Sequence, residues 1–502
     1  MKKEILLVTI CSSDYFGVQL ALYYLKTYLQ KKSIFHPSRI NIDVEIFAYT
    51  DKLEHIVKRI LAKKPVVVGF SCYLWNIERI LKISKIIKRS NPLIKIILGG
   101  PEVSPRSEEL LKKEKSIDIV VRGEGEETFA ELMNNFFYRQ AELSSIQGIS
   151  YRMDGRISIN PPRPLIDVEE IPSPYLERII DVKKGKVIPI ETMRGCPYRC
   201  HYCYYHKEFD SVRYFSLRRL EEEFKYILVK QPSEVYLMDP TFNADPDRAK
   251  KILRIFKKYN RGSRLHVELK AELLDEEMAE LLHKTNTKFI EIGIQSTNPR
   301  ALRFINRNLK RGTFKRNTKL LNMRNIFFEI QLIDGLPGDT CADLKKSLDW
   351  AYSLNPPRIK IMRLSILPGT YLRQHAERFG IEYDPKPPYF SHKSGWMSKN
   401  DLKRVAKLRR GLFLYNNTVF RRIIPMLRKE LKINFSDILE ERVRWGGSKN
   451  KFIIKQILNF VKYLGNKYKK PGLHEEACRI FKNNLADFYM KIYKNKKEAD
   501  KM

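Results

Sequence analysis

Residues 187–208, VIPIETMRGCPYRCHYCYYHKE, decide how this chain is read. A short apolar run, Val187–Ile190, is followed by Cys196, Cys200 and Cys203 in the spacing C-x3-C-x2-C. A disulfide needs two thiols, and a closed tetrahedral metal site needs four ligands. Three thiolates can instead hold three irons of a [4Fe–4S] cluster and leave the fourth iron open to a substrate or cosubstrate. Cys11, Cys72, Cys341 and Cys478 are scattered and do not suggest a second cluster. A structural zinc site completed by His201 or His206 is the competing reading.

The run at 187–192 is the first of six. EVYLMD (234–239), LHVELKA (265–271), FIEIGIQS (289–296), FFEIQLIDGLPG (327–338) and IKIMRLSILPG (359–369) follow, separated by helical stretches such as LRRLEEEFKYILVK. Six β/α units predict a partial barrel, short of the closed eight, with its site at the strand carboxyl ends. Upstream, ILLVTI, VEIFAY, VVVGFS, IKIILGG and IDIVVRG alternate with amphipathic stretches. That pattern predicts an α/β, doubly wound parallel sheet, which binds ligands beyond its carboxyl edge. The loops 11–17, 71–76, 99–104 and 123–129 fall on that edge, and Gly99 and Gly100 would let backbone approach a bulky ligand. NPPRPLIDVEEIPSP (160–174) has five prolines and breaks regular structure. The expected organisation is a doubly wound domain over 1–143, a Pro-rich connector over 144–185 and a partial barrel over 186–385. A basic, mainly helical domain follows over 386–502, with a frayed tail from 491.

The chain has 502 residues, enough for several domains, and 43% of them are hydrophobic. No run of about 20 apolar residues occurs, so no spanning helix is expected. MKKEILLVTI reads as a first strand and not as a signal peptide. Seven sparse cysteines do not resemble a secreted disulfide framework, and a cytoplasmic location is expected. The net charge is +36, and residues 386–502, with 29 Lys/Arg against 10 Asp/Glu, carry +19 of it. Such a surface could attract RNA or an anionic membrane surface, but no aromatic-and-basic motif accompanies the charge. Solvated lysines are the plainer reading.

C-x3-C-x2-C after the first strand of a β/α region resembles the radical S-adenosylmethionine (SAM) superfamily, and Tyr202 matches the aromatic residue usual before its third cysteine. The resemblance implies that the open iron chelates SAM and that an electron cleaves it to methionine and a 5′-deoxyadenosyl radical. The electron would come from a donor such as flavodoxin or ferredoxin. YLMDPTFN (236–243) is similar to the second-strand segment, which implies Asp239 at the SAM ammonium and Phe242 and Asn243 around the pocket. HVELKAELLDEEM places Lys270 where the family usually has arginine, so a single-point contact would replace a bidentate grip on the SAM carboxylate. IEIGIQS is similar to the fourth strand, with Gln295 and Ser296 near the ribose or substrate.

The first region resembles the cobalamin-binding branch of that superfamily through FSCYLWNIERI, KIILGGPEVS and IDIVVRGEGEETFAEL. This implies cobalamin held by Ser13, Asp14, Ser71, Gly99 and Gly100. The loop SSDYFG lacks the histidine that many such domains offer as lower cobalt ligand. The expected function is a cobalamin-dependent radical SAM enzyme, with methyl transfer to an unactivated carbon or phosphorus. A radical cyclase or rearrangement enzyme, or an RNA-binding protein with a structural metal, are the alternatives. The substrate and the residues acting on it stay unassigned.

Overall fold

Strand β1 (Lys3–Cys11) is buried from Ile5 to Cys11 without a break, as a strand covered on both faces must be. In the computed structural model it lies between β2 (Ile40–Ala48) and β3 (Val67–Ser71), with β4 (Lys95–Gly99) and β5 (Ile119–Val121) beyond, all parallel. The structure describes residues 2–11, 17–33, 39–138, 142–205, 211–416, 418–445 and 453–481. Ser13, Asp14, His206 and the tail from 491 lie outside them. Helices α1 (Leu20–Lys32), α2 (Leu53–Ala62), α3 (Ile77–Ser90), α4 (Ser107–Lys113) and α5 (Glu126–Tyr138) cover the two faces. The strand order 2-1-3-4-5 reverses at β1, and a ligand cleft is expected between the carboxyl ends of β1 and β3.

The first sheet runs past the boundary expected at 143. Strands β6 (Ile149–Met153) and β7 (Arg156–Ile159) add an antiparallel hairpin beside β5. The cause is local: Asp154 (φ 49°) and Gly155 (φ 78°) form the two-residue Asp-Gly turn whose twist suits a hairpin.

The second sheet is parallel, its six strands lying side by side in chain order. Its strands are β8 (Val187–Ile190), β11 (Glu234–Leu237), β12 (Arg264–Glu268), β13 (Thr287–Gln295), β14 (Phe328–Asp334) and β15 (Arg358–Arg363). A short ribbon, β9 (Met193–Arg194) with β10 (Arg213–Tyr214), closes the cysteine loop at its base. The alternation of period two sorts the side chains. Val235, Leu237, Val267, Ile292, Ile330 and Ile361 pack under the surrounding helices. Tyr236, His266, Glu268, Glu291 and Gln331 take the other face and bond to one another, with Tyr236 donating to Glu268 (2.8 Å) and His266 Nε2 3.1 Å from Glu291. β8 and β15 do not pair, so the barrel is open.

The outer layer begins with α6 (Leu217–Leu228), α7 (Pro246–Tyr259), α8 (Glu276–Lys284), α9 (Pro299–Phe304), α10 (Arg311–Met323), α11 (Cys341–Ser353) and α12 (Tyr371–Gln374). The boundary expected at 385 falls inside a strand pair, β16 (Glu382–Tyr383) with β17 (Ser391–Lys393). Helices α13 (Lys399–Tyr415), α14 (Thr418–Leu431), α15 (Phe435–Trp445) and α16 (Ile453–Lys467) follow. They share one continuous apolar core with the barrel. Tyr352 stacks on Phe435 at 4.5 Å, and the Tyr415 hydroxyl donates to Pro356 O. Asp334, at the end of β14, meets Arg409 of α13 (3.1 Å). Among the described residues no helix is long and apolar enough to cross a membrane.

Candidate functional site

The cysteine loop leaves β9 through a turn that only glycine fits. Gly195 has φ +95°, and a Cβ there would lie 2.2 Å from Ser211 O. Beneath the loop, Asp239 accepts from Thr192 N (2.8 Å) and Met193 N (3.2 Å), and also from the Thr192 hydroxyl. Burial pushes the Asp239 carboxyl up to about 7, against the pull of those donors. Asp239, expected at the SAM ammonium, is fully buried, and both of its oxygens hold the start of the loop. The group is protonated more readily in the folded chain than in the unfolded one. Its contribution to stability is therefore complete below about pH 4 and lost as pH rises towards 7. Asp239→Asn removes the titration, keeps the Oδ1 acceptor and turns an N–H towards the Thr192 hydroxyl, which can rotate to accept it. Urea unfolding between pH 4 and 7 is expected to lose about 1–3 kcal/mol of pH dependence in that variant.

Ser296, expected near the ribose or substrate, is bonded within the fold. It is fully buried, accepts from Asn298 N (3.0 Å) and donates to Asp339, and so it builds the start of α9. Asn243 pairs reciprocally with the Lys270 backbone (2.9 and 3.0 Å) and ties the ends of β11 and β12 together. Lys270 lies beside the loop, and Gln295 ends β13. The Lys270 ammonium lies 4.5 Å from the Tyr198 ring centroid, and burial lowers its pKa. Gln295 has φ +63° at a break in the β13–β14 register, and its buried Oε1 has no partner among the described residues. An orphaned acceptor at the end of β13 and a half-buried cation just past β12 suit a ligand with both an ammonium or hydroxyl and a carboxylate.

The thiols fit a cluster. Burial raises all those with a resolved shift, Cys203 to about 11, and each is raised further by its neighbouring cysteines. Deprotonation must then be driven by metal binding. Among the described residues no three His, Cys, Asp or Glu side chains converge on a single ion, whereas a cubane asks each thiolate for a different iron. His201 serves the fold: its Nδ1 meets Phe304 O (2.8 Å) and its ring stacks on Tyr371 at 4.0 Å. The turn after α9 fastens the loop further. Asn306 donates to Arg199 O (2.9 Å), His201 N to Ile305 O (3.1 Å), and Arg307 to the Tyr202 hydroxyl (3.0 Å).

Against this loop opens a cavity of about 650 Å³. Ser71, Gly99, Gly100 and Trp75 line it from the first sheet, and Cys203 and Tyr236 from the barrel. The switch-point cleft and the cysteine loop are therefore two walls of one space. The Gly99–Gly100 turn is a cradle that a side chain would spoil. Gly100 has φ +110°, and a Cβ would lie 2.6 Å from Cys72 O. Gly100→Ala is expected to cost about 1–3 kcal/mol and to shift the turn. Cobalamin retained after gel filtration, read by its visible absorbance, should fall several-fold.

A buried charge network joins the two walls. Arg194 bonds Glu124 (2.8 Å), Glu126 (2.7 Å) and Glu191 (3.1 Å), and Arg213 grips both oxygens of Glu124 (2.9 Å each). Gly369 marks a second junction, where a Cβ would lie 2.6 Å from the Tyr204 ring and 2.8 Å from Pro105. A third is Glu102, which accepts from both Tyr389 and Arg106. Arg194, Glu124 and Arg307 carry no expectation from the sequence. Each is an ordinary charge until the fold brings its partner alongside.

The comparisons agree with this geometry. The B12 binding domain model matches residues 7–133, and the Radical SAM superfamily model matches residues 190–351. An uncharacterized methyltransferase of Pyrococcus horikoshii is 28% identical over 64% of this chain and 71% of its own length. The cobalamin-dependent radical SAM methyltransferase TokK of Streptomyces tokunonensis is 26% identical over 65% of this chain, which spans about half (51%) of that protein. The structure of the cobalamin-dependent SAM radical enzyme OxsB, with aqua-cobalamin and SAM bound, superposes with a TM-score of 0.66 over 98% of this chain and 81% of that one, at 16% identity. That likeness concerns the fold, and it includes the C-terminal helices.

Proposed function

We propose that this chain, a radical SAM enzyme with an N-terminal B12-binding domain, transfers a methyl group to an unactivated carbon or phosphorus centre. The observation that carries the reading is the shared cavity, walled by the carboxyl edge of the first sheet and by the cysteine loop. A [4Fe–4S] cluster supplies one-electron cleavage of SAM, and a corrinoid supplies a carrier for the methyl group.

The chain's own part is holding and shielding. Cys196, Cys200 and Cys203 anchor three irons. Lys270 offers a cation to the SAM carboxylate, and Gln295 Oε1 offers an acceptor at the carboxyl end of β13. Ser71, Gly99 and Gly100 let the corrinoid approach backbone closely. Tyr204, Tyr205 and Met238 line the same space and keep water from reactive species. The edge of the first sheet and the cysteine loop line one cavity, so groups held on these two walls would lie close together, and proximity would lower the barrier. A flavodoxin or ferredoxin in the cytoplasm, acidic against this basic surface, would be the reductant.

The test is anaerobic reconstitution with iron, sulfide and hydroxocobalamin, followed by SAM, a reductant and a panel of acceptors. The expected result is 5′-deoxyadenosine and S-adenosylhomocysteine in equal amounts, with a product in which one hydrogen is replaced by methyl, a net gain of CH2. A product of unchanged carbon count would overturn methyl transfer in favour of cyclisation or rearrangement.

A further inference from the structure

Cys200 is the most buried of the three thiols, at 7% exposure. A cation reaches it from a segment more than a hundred residues away. Arg307 Nη1 lies 3.9 Å from Cys200 Sγ and 3.0 Å from the Tyr202 hydroxyl, while Nη2 donates to Gly293 O (2.8 Å). The guanidinium is thus fixed at three points, on the loop and on β13. Its backbone is fixed too: Arg307 N donates to Leu302 O (2.9 Å). Asn306 and Ile305, the residues just before it, bond the cysteine loop itself. A residue held this firmly against a ligand sulfur pays little reorganisation when the charge on that sulfur changes.

We propose that Arg307 sets the reduction potential of the cluster by donating an N–H···S hydrogen bond to the Cys200 thiolate. The inference rests on the reading that the cysteine loop carries a [4Fe–4S] cluster. One electron from a reductant takes the cluster from its 2+ to its 1+ core, with no bond made or broken, and the added negative charge spreads onto the sulfurs. Hydrogen bonds to those sulfurs are one of the levers on the potential. A fixed cation beside one of them stabilises the reduced state more than the oxidised one. Arg307 is a positioning residue in this role. It acts on the metal group through a ligand atom and need not touch the substrate.

The experiment is a redox titration of reconstituted, SAM-free protein, followed by electron paramagnetic resonance. The wild type is compared with Arg307→Lys and Arg307→Met. Removing the cation should reduce the equilibrium constant for reduction at least about tenfold, a midpoint lower by about 59 mV for one electron. Arg307→Lys keeps the charge without the planar fork and should fall between. Equal midpoints in the wild type and both variants, at equal iron content, would overturn the inference. If Arg307→Met does not load iron, a Lys variant identical to wild type overturns it as well. A change in SAM affinity with the SAM-free midpoint unmoved would assign Arg307 to the SAM carboxylate instead. Wild-type protein that binds no cluster defeats the underlying reading and is distinguishable from all of these.

Discussion

Cys200→Ala should abolish 5′-deoxyadenosine formation in the reconstituted enzyme, a loss of at least about 10⁴-fold and the scale expected when an essential group is removed. The loop supplies three thiols and no spare. Cys11, Cys72, Cys341 and Cys478 belong to other elements, and Cys200 sits where bulk solvent cannot replace it. Two thiolates leave two irons without protein ligands, and iron per chain should drop with the activity. Cys341→Ser is the control: it lies on α11, away from the loop, and should load iron and cleave SAM as the wild type does. A Cys200→Ala protein with undiminished turnover would remove the cluster from this loop.

The second large effect is on stability. Arg194→Met leaves Glu124, Glu126 and Glu191 around a buried, apolar side chain. Breaking a buried ion network from one side costs about 3–5 kcal/mol, because the remaining charges stay desolvated. Arg213 still covers Glu124, and the cost falls mainly on the other two. The pH dependence has a definite sign. Burial already raises the Glu191 carboxyl in the intact protein, with Arg194 opposing it. Without Arg194 its folded-state pKa climbs further above the unfolded value, so the stability of the variant falls as pH rises and recovers as pH drops. For Glu124, Arg213 and Arg194 outweigh burial and hold the carboxyl low, so its contribution in the wild type is present at neutral pH and fades on acidification. Both trends narrow the gap at low pH. Urea unfolding should give a large difference at pH 7.5 and a clearly smaller one at pH 5. A gap independent of pH would mean that the network does not carry the effect.

Much of the architecture follows from pattern. Six apolar runs with helical spacers became six sequential parallel strands, because period-two alternation and short βα turns leave little freedom in topology. The Asp154–Gly155 hairpin was legible from its dipeptide, yet the surrounding prolines made that stretch read as a connector. The basic C-terminal region reads as a separate domain from its charge. In the fold its apolar faces complete the barrel's own core, which charge counting does not reveal.

The sequence alone placed three thiols on one loop, two glycines at the carboxyl edge of the first sheet, and the strands of the two sheets, because each is written in residues close together along the chain. Only the tertiary structure decided which buried partners Asp239 and Ser296 bond, that Arg307 reaches Cys200, and that Arg194 bonds residues of both sheets' loops. Those outcomes depend on which side chains meet across tens to hundreds of residues. A carboxylate or guanidinium carries no mark of its partner until burial removes water and makes that partner count.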